Sequence, residues 1–90
     1  MEEKVLEIMS KTFNIDISLL SVESSKNDLF HWDSMTHLNL IVDIENEFKI
    51  AFENDEIISI VDFKSLMQNI INKLEKKWDL NRLNSKLYDA

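Results

Sequence analysis

The residues of this chain best placed to do chemistry are clustered around one serine. Ser34 follows Asp33 directly, and His31 and His37 lie three residues away on either side. Catalysis by a serine–histidine pair needs an orienting group and an oxyanion hole within a cleft, and a short helical chain offers no obvious cleft. The spacing of the histidines and Asp33 also matches no standard metal site. We therefore expect no enzyme activity and no bound metal, and we interpret His37 as a contact for a ligand or a partner, or as a residue without a role.

The position of Ser34 in its predicted helix suggests a different chemistry. Residues 34–48 have the apolar periodicity of a helix, and Asp33 is a favourable N-cap residue. Ser34 would lie in the first turn, with its hydroxyl exposed. A helix N-terminus presents unpaired N–H groups and a partial positive charge, so it favours a bound phosphate. The site is therefore suited to a phosphate held covalently on Ser34.

The elements that must position Ser34 are expected to be all helical. The chain has no glycine, proline or cysteine, which disfavours hairpin-linked sheets and excludes disulfides. Asp62 is the expected N-cap of the last main helix, and Asn54 or Asp55 that of a short helical turn. We predict a small all-α bundle with three main helices over residues 2–14, 34–48 and 62–77, and a short helical turn over residues 54–59.

A long first loop and a C-terminal tail complete the predicted architecture. Residues 15–32 lack a sustained period, and we interpret Trp32 as the residue that packs this loop onto the bundle. Residues 78–90 are predicted to follow a domain over residues 1–77, either as a helical extension or as a docking segment for a partner. The expected loop anchors are Ile17, Leu20, Val22 and Leu29. The expected core residues are Phe13, Leu40, Ile44, Phe48, Phe63, Leu66 and Ile70.

The charge of the chain restricts its partners. The 90 residues carry a formal net charge of −7, and the acidic residues are concentrated between residues 33 and 72. Such a surface repels nucleic acid and anionic membranes, and basic proteins are its natural complement. The chain has no apolar run that could span a bilayer and no signal-peptide pattern at its N-terminus. We expect a cytoplasmic monomer that binds neither nucleic acid nor membranes.

A partner surface is predicted beside Ser34. Met35, Leu38 and Val42 would form an exposed apolar strip along the predicted helix. The acidic residues expected around this strip are Asp43, Glu45, Glu47, Asp55 and Glu56. An apolar centre with acidic surroundings fits brief binding to several basic enzymes. The alternative is that Leu38 and Val42 belong to the core and that the acids are ordinary solvated surface.

The segment that begins with Asp33-Ser34-Met35 has a counterpart in a known family. The chain resembles the acyl carrier proteins, whose signature is Asp-Ser-Leu at the start of the second helix, after a long first loop. Residues 38–48 are similar to the apolar and acidic recognition helix of that family. The resemblance covers residues 2–75 in order and spacing, which makes it more specific than the three-residue signature alone.

The resemblance implies a specific use of Ser34. A phosphopantetheinyl transferase that recognises Asp33 would transfer 4′-phosphopantetheine from coenzyme A to the Ser34 hydroxyl. The thiol of this arm would hold an acyl group as a thioester, for acyl-activating or acyl-transferring enzymes with basic docking surfaces. Trp32, Met35 and Asn39 depart from the commonest fatty-acid carriers. They point to a free-standing carrier of a specialised, fatty-acid- or polyketide-like pathway.

Two alternatives stay open at this stage. An aminoacyl or peptidyl carrier, including the D-alanyl type, would use the same serine, although an aspartate directly before that serine is more typical of acyl carriers. An unmodified helical adaptor could use the same fold without any arm. Incubation with coenzyme A and a transferase separates the adaptor from the carriers.

Overall fold

A computed structural model describes residues 1–29 and 32–89, and for residues 78–89 it describes the backbone. In this part of the chain, all regular structure is helical. The elements are α1 (Glu2–Phe13), a 3-10 turn (Ile17–Leu19), α2 (Ser34–Phe48), α3 (Asn54–Ser59) and α4 (Phe63–Asp89). The all-α prediction is confirmed. None of these helices, as far as they are described, is long and apolar enough to cross a membrane.

The ends of α1 and α2 show how the chain stops a helix without glycine. Asn14 follows α1 at φ 55° and ψ 49°, and Lys49 follows α2 at φ 58° and ψ 48°. Both backbones are left-handed, a conformation that asparagine tolerates and that is strained for lysine. The predicted bounds of α1 (residues 2–14) and α2 (residues 34–48) agree with the structure to within one residue.

The two C-terminal helices begin at acidic caps. Asp62 caps α4, since its carboxylate accepts the Ser65 N–H at 2.7 Å, as predicted. The predicted cap of α3 was wrong, because the N-cap is Glu53 rather than Asn54 or Asp55. The Glu53 N–H donates to the Glu56 carboxylate at 2.7 Å as part of a capping box, which was not predicted from the sequence.

The core lies between α1, α2 and α4. Six of the seven predicted core residues are buried, and Phe48 is only partly buried because it is the last residue of α2, at the edge of the core. Ile60 lies in the core with no exposed surface. The backbone of α4 continues as a helix through Asp89, beyond the predicted end at residue 77. The proposed boundary after residue 77 and a docking role for the tail stay predictions.

The first loop is attached to the bundle through backbone hydrogen bonds as well as through buried side chains. The Phe63 N–H donates to the Ser24 carbonyl at 2.8 Å, and the Lys26 N–H donates to the Val61 carbonyl at 2.9 Å. Leu20 is buried as predicted, and Leu29 packs partly against the core. The prediction that Ile17 and Val22 anchor the loop was wrong, since both side chains are exposed. Backbone pairing to residues 61–63 holds the loop together with the buried Leu20 and Trp32 side chains.

Candidate functional site

Ser34 is the first residue of α2, and it is exposed. Asp33 precedes it in extended conformation and caps the helix, as predicted. One oxygen of the Asp33 carboxylate accepts both the Thr36 N–H at 2.9 Å and the Thr36 hydroxyl at 2.8 Å. These hydrogen bonds keep the pKa of Asp33 below its ordinary value. The cap therefore fixes the turn that carries Ser34 and leaves this residue facing solvent.

Trp32 and His37 form a buried pair beneath this turn. The indole N–H of Trp32 donates to Nδ1 of His37 at 2.9 Å, and Nε2 of His37 lies 2.9 Å from the Ile57 carbonyl oxygen. Because Nδ1 accepts a hydrogen bond, the ring carries its proton on Nε2, which donates to Ile57. The Trp32 ring also packs 5.4 Å from the Phe13 ring, centre to centre. Trp32 thus packs the first loop onto the bundle, as predicted.

The surroundings of His37 favour its neutral form. Burial lowers the pKa of His37, the hydrogen bond to Ile57 opposes that effect, and the nearby charge of Lys26 lowers the pKa further. Protonation would also put a proton on Nδ1, where it would face the indole N–H of Trp32. Both ring nitrogens are therefore occupied, and His37 is not available as a base for Ser34. His37 thus has a structural role, because it joins the first loop to α3, and a further contact of His37 with a ligand or a partner stays a prediction. His31 lies outside the described residues.

A groove of about 320 Å³ opens beside Ser34, between the first loop, α2 and α3. Its lining residues are Lys26, Ser34, His37, Leu38, Ile57 and Ile58. Three of these six side chains, those of Leu38, Ile57 and Ile58, are apolar. Among the described residues that line the groove, Lys26 alone carries a full charge, because His37 is neutral. The groove can accommodate an extended, mostly apolar chain that leads away from the serine.

The predicted apolar strip lies on the exposed face of α2. Met35 is 75% exposed, Leu38 is 58% exposed and Val42 is 52% exposed. These values contradict the alternative that Leu38 and Val42 are core residues. Exposed apolar side chains on successive turns are a feature of binding surfaces. Partner binding by the strip stays a prediction.

Two of the predicted acidic contacts are bound by α1. Asp43 accepts the Thr12 hydroxyl at 2.6 Å, and Glu47 forms an ion pair with Lys4 at 3.2 Å. Their carboxylates thus lie on the side of α2 that faces α1. A partner that uses either carboxylate has to share it with these side chains or displace them.

The remaining predicted acids differ in their availability. Glu45 accepts the Phe52 N–H at 2.8 Å and holds the connection between α2 and α3. Glu56 pairs with Lys73 at 2.8 Å, and this contact lowers the pKa of Glu56 and raises that of Lys73. Asp55 is exposed, with no hydrogen bond or ion pair to another described side chain. Of these three, Asp55 is the most accessible to a partner.

No family model matches the chain, but individual proteins do. It is 29% identical over 75 residues to an acyl carrier protein homolog of Mycoplasma genitalium, a match that covers 82% of this chain and 88% of the relative. It is 28% identical over 79 residues to an acyl carrier protein of Petrotoga mobilis, with 88% of each chain covered.

Two solved structures share both the fold and the sequence. The holo acyl carrier protein of Geobacter metallireducens superposes with a TM-score of 0.77 at 32% identity, covering 87% of this chain and 90% of that one. This chain belongs to the acyl carrier protein family. An acyl carrier protein of Thermotoga maritima gives a TM-score of 0.71 at 31% identity, covering 82% of this chain and 86% of that one. The resemblance inferred from the sequence is confirmed.

Two features of this acyl carrier protein site were missed from the sequence: the burial of His37 and the place of Lys26 in the groove. His37 lies three residues before Leu40 and seven before Ile44, so it continues the buried face of α2, and this spacing could have indicated its burial. Lys26 gave no such signal, because it lies in an irregular loop. Its place in the groove depends on the pairing of that loop with residues 61–63.

Proposed function

We propose that this member of the acyl carrier protein family carries its acyl group on a 4′-phosphopantetheine arm attached covalently to Ser34. The observation that carries the proposal is the exposed position of Ser34 at the first residue of α2, directly after the capping Asp33. The residues fit the group in two further ways. The N-terminus of a 15-residue helix favours the phosphate, and the groove beside Ser34 can receive the rest of the arm.

The chain itself acts by holding and positioning. Its part is to hold the Ser34 turn in place through the Asp33 cap. The arm would supply the thiol that holds an acyl group as a thioester. The polypeptide has no thiol of its own, because it contains no cysteine. Tethering raises the effective concentration of the cargo at each enzyme that binds the chain.

The partners we propose are a phosphopantetheinyl transferase and enzymes that load, modify or remove the acyl group. The strip of Met35, Leu38 and Val42 supports such binding through its exposure, and Asp33 and Asp55 are exposed acids. Enzymes with basic docking surfaces would complement these acids. We further propose a monomer in the cytoplasm. The net charge of −7 supports this by repelling other copies of the chain and anionic membranes.

Attachment can be tested by intact mass spectrometry after incubation of the apo protein with coenzyme A and a promiscuous phosphopantetheinyl transferase. The wild type is expected to gain the mass of one arm, and Ser34→Ala is expected to gain none. Ser18→Ala removes another exposed serine and is the matched control, which should be modified like the wild type. If the wild type stays unmodified with several transferases, the proposal is wrong and the chain is an unmodified adaptor.

The class of cargo needs a second experiment. The loaded form should accept acyl groups from acyl-activating enzymes and resist loading by aminoacyl-activating ones, as read by the mass of the intact chain. Loading by aminoacyl-activating enzymes alone, including D-alanine-activating ones, would replace the acyl carrier proposal with an aminoacyl carrier.

A further inference from the structure

We propose that Lys26 binds the phosphodiester of the Ser34-linked arm across the groove, and so fixes the direction in which the arm leaves the protein. This inference rests on the function proposed above and deepens it. Lys26 would act as a positioning residue for the arm. A role in the attachment reaction is not required.

The first support is the location of Lys26. It lines the same groove as Ser34, on the wall formed by the first loop. Its side chain is half-buried, and its backbone is held by the hydrogen bond from its N–H to the Val61 carbonyl at 2.9 Å. The neighbouring Ser24 carbonyl accepts the Phe63 N–H, which fixes the loop on the other side. The base of this side chain is therefore positioned before any arm is attached.

The second support is that the Lys26 side chain lines the groove without a described carboxylate partner. Its charge acts on the imidazole of His37, which lines the groove below Ser34. The described ion pairs involve Lys4, Lys64 and Lys73, and Lys26 takes part in none of them. Among residues 1–29 and 32–77, no carboxylate competes for its ammonium within ion-pair distance.

The third support is a balance of charges at Ser34. A phosphodiester adds one negative charge to a chain of net charge −7, one residue away from the ionised Asp33. The N-terminus of α2 offsets part of this repulsion, because its partial charge is about half a unit. The positive charge of Lys26 in the adjacent groove would offset the rest of this repulsion.

Covalent geometry selects the phosphodiester as the occupant. Its phosphorus atom is bonded directly to Oγ of Ser34, so this anion must lie at the serine end of the groove whatever cargo the arm carries. The distal end of the arm lies many bonds further away. A negatively charged cargo could reach Lys26 only by folding back along the arm.

The test compares apo and holo forms of the wild type, Lys26→Met, Lys26→Arg and Lys64→Met, each verified by intact mass. Lys64→Met is the matched control, since it removes one positive charge from an exposed lysine in the first turn of α4 that pairs with Glu23 and does not line the groove. At low ionic strength, the gain in Tm on attaching the arm should be about 2–5 °C smaller in Lys26→Met than in the wild type. The Lys64→Met and Lys26→Arg variants should keep the wild-type gain.

The ³¹P resonance of the holo protein is the second measurement. The resonance should shift in Lys26→Met and stay in place in Lys64→Met. Added salt should reduce the difference between the wild type and Lys26→Met, because salt screens the attraction between the Lys26 ammonium and the phosphodiester. Equal ³¹P shifts and equal gains in Tm across all four proteins would overturn the inference, as would an effect of Lys26 that appears only with a carboxylate-bearing cargo. If the wild type gains no arm in the first place, the proposed function fails too, and the mass spectrum distinguishes that outcome from a failure of the Lys26 contact alone.

Discussion

The indole nitrogen of Trp32 lies 2.9 Å from Nδ1 of His37, and this buried hydrogen bond joins the end of the first loop to the first turn of α2. Ser34 lies in sequence between the two partners. The bond therefore connects residues on both sides of the proposed attachment point, and the Asp33 cap holds the same turn of the helix. The stiffness of the site depends on both contacts.

Replacing His37 by alanine should destabilise the fold by about 2–4 kcal/mol, because it opens a cavity and leaves the buried Trp32 N–H without an acceptor. Urea denaturation followed by circular dichroism measures this loss. Trp32→Phe is the complementary variant, which keeps an aromatic ring and removes the donor. The two changes should be less than additive in the double variant, and full additivity would show that the hydrogen bond contributes nothing.

The lowered pKa of His37 predicts a pH dependence of stability. In the unfolded chain, His37 takes up a proton as the pH falls through about 6.5, while the folded state resists protonation. The unfolded state therefore binds more protons, and the free energy of unfolding should fall as the pH is lowered from about 7 to 5. The contribution of His37 is complete above that range.

His37→Phe provides the control for this titration, since it keeps a buried ring and cannot bind a proton. Its free energy of unfolding should vary less between pH 7 and 5 than that of the wild type. The difference between the two slopes should not exceed about 1.4 kcal/mol per pH unit. Parallel curves for the two proteins would show that His37 is not responsible.

Two variants of Asp33 separate its capping role from recognition of its charge. Asparagine caps helices as well as aspartate does, so Asp33→Asn should keep a Tm close to that of the wild type, whereas Asp33→Ala should lower it. If a transferase recognises the carboxylate, both variants should be modified more slowly than the wild type. Wild-type rates in Asp33→Asn would show that only the cap matters for modification.

The strained residue after α2 predicts a stabilising substitution. Lys49→Gly removes the Cβ atom at φ 58° and should raise the free energy of unfolding by about 0.5–1 kcal/mol. Lys49→Ala keeps the strain and serves as the control. Asn14→Gly should give a smaller gain, because asparagine tolerates the left-handed conformation. A loss of stability in Lys49→Gly would contradict this prediction.

The apolar strip predicts that shortening one of its exposed side chains weakens binding of a partner. Leu38→Ala should reduce the kcat/KM of modification by a transferase by about tenfold, with little change in Tm, because a desolvated apolar contact is worth on the order of 1–2 kcal/mol. Val61→Ala removes an exposed apolar side chain of similar exposure outside the strip and should leave kcat/KM unchanged. Equal rates for both variants would exclude the strip as the transferase contact.

The sequence was most informative where structure is local. The start of α2 was predictable because Asp33 caps it and because the apolar residues that follow keep a helical period. The core positions on α2 and α4 followed from the same periodicity. The cap of α3 was missed by one residue because its capping box depends on the Glu56 side chain reaching back to the Glu53 backbone.

The groove could not be predicted, because it is formed by segments far apart in the sequence. Lys26 and Ile57 line one space only because the loop pairs with residues 61–63 and His37 bonds to α3. Neither contact has a periodic signature. The serine was therefore visible from the sequence, while the surface beside it required the three-dimensional structure.

The two walls of that groove are fastened with different strength. The loop wall is tied by paired backbone hydrogen bonds to the beginning of α4, whereas the α3 wall is joined to α2 here by the hydrogen bond between His37 and the Ile57 carbonyl. α3 has six residues and is also tied to α4 by the ion pair between Glu56 and Lys73, so it can shift as a small unit only when both contacts break. A bulky cargo would consequently widen the groove by displacing α3, while the loop remained in place. The size of cargo that fits would thus depend on how readily the His37 imidazole releases the Ile57 carbonyl and Lys73 releases Glu56.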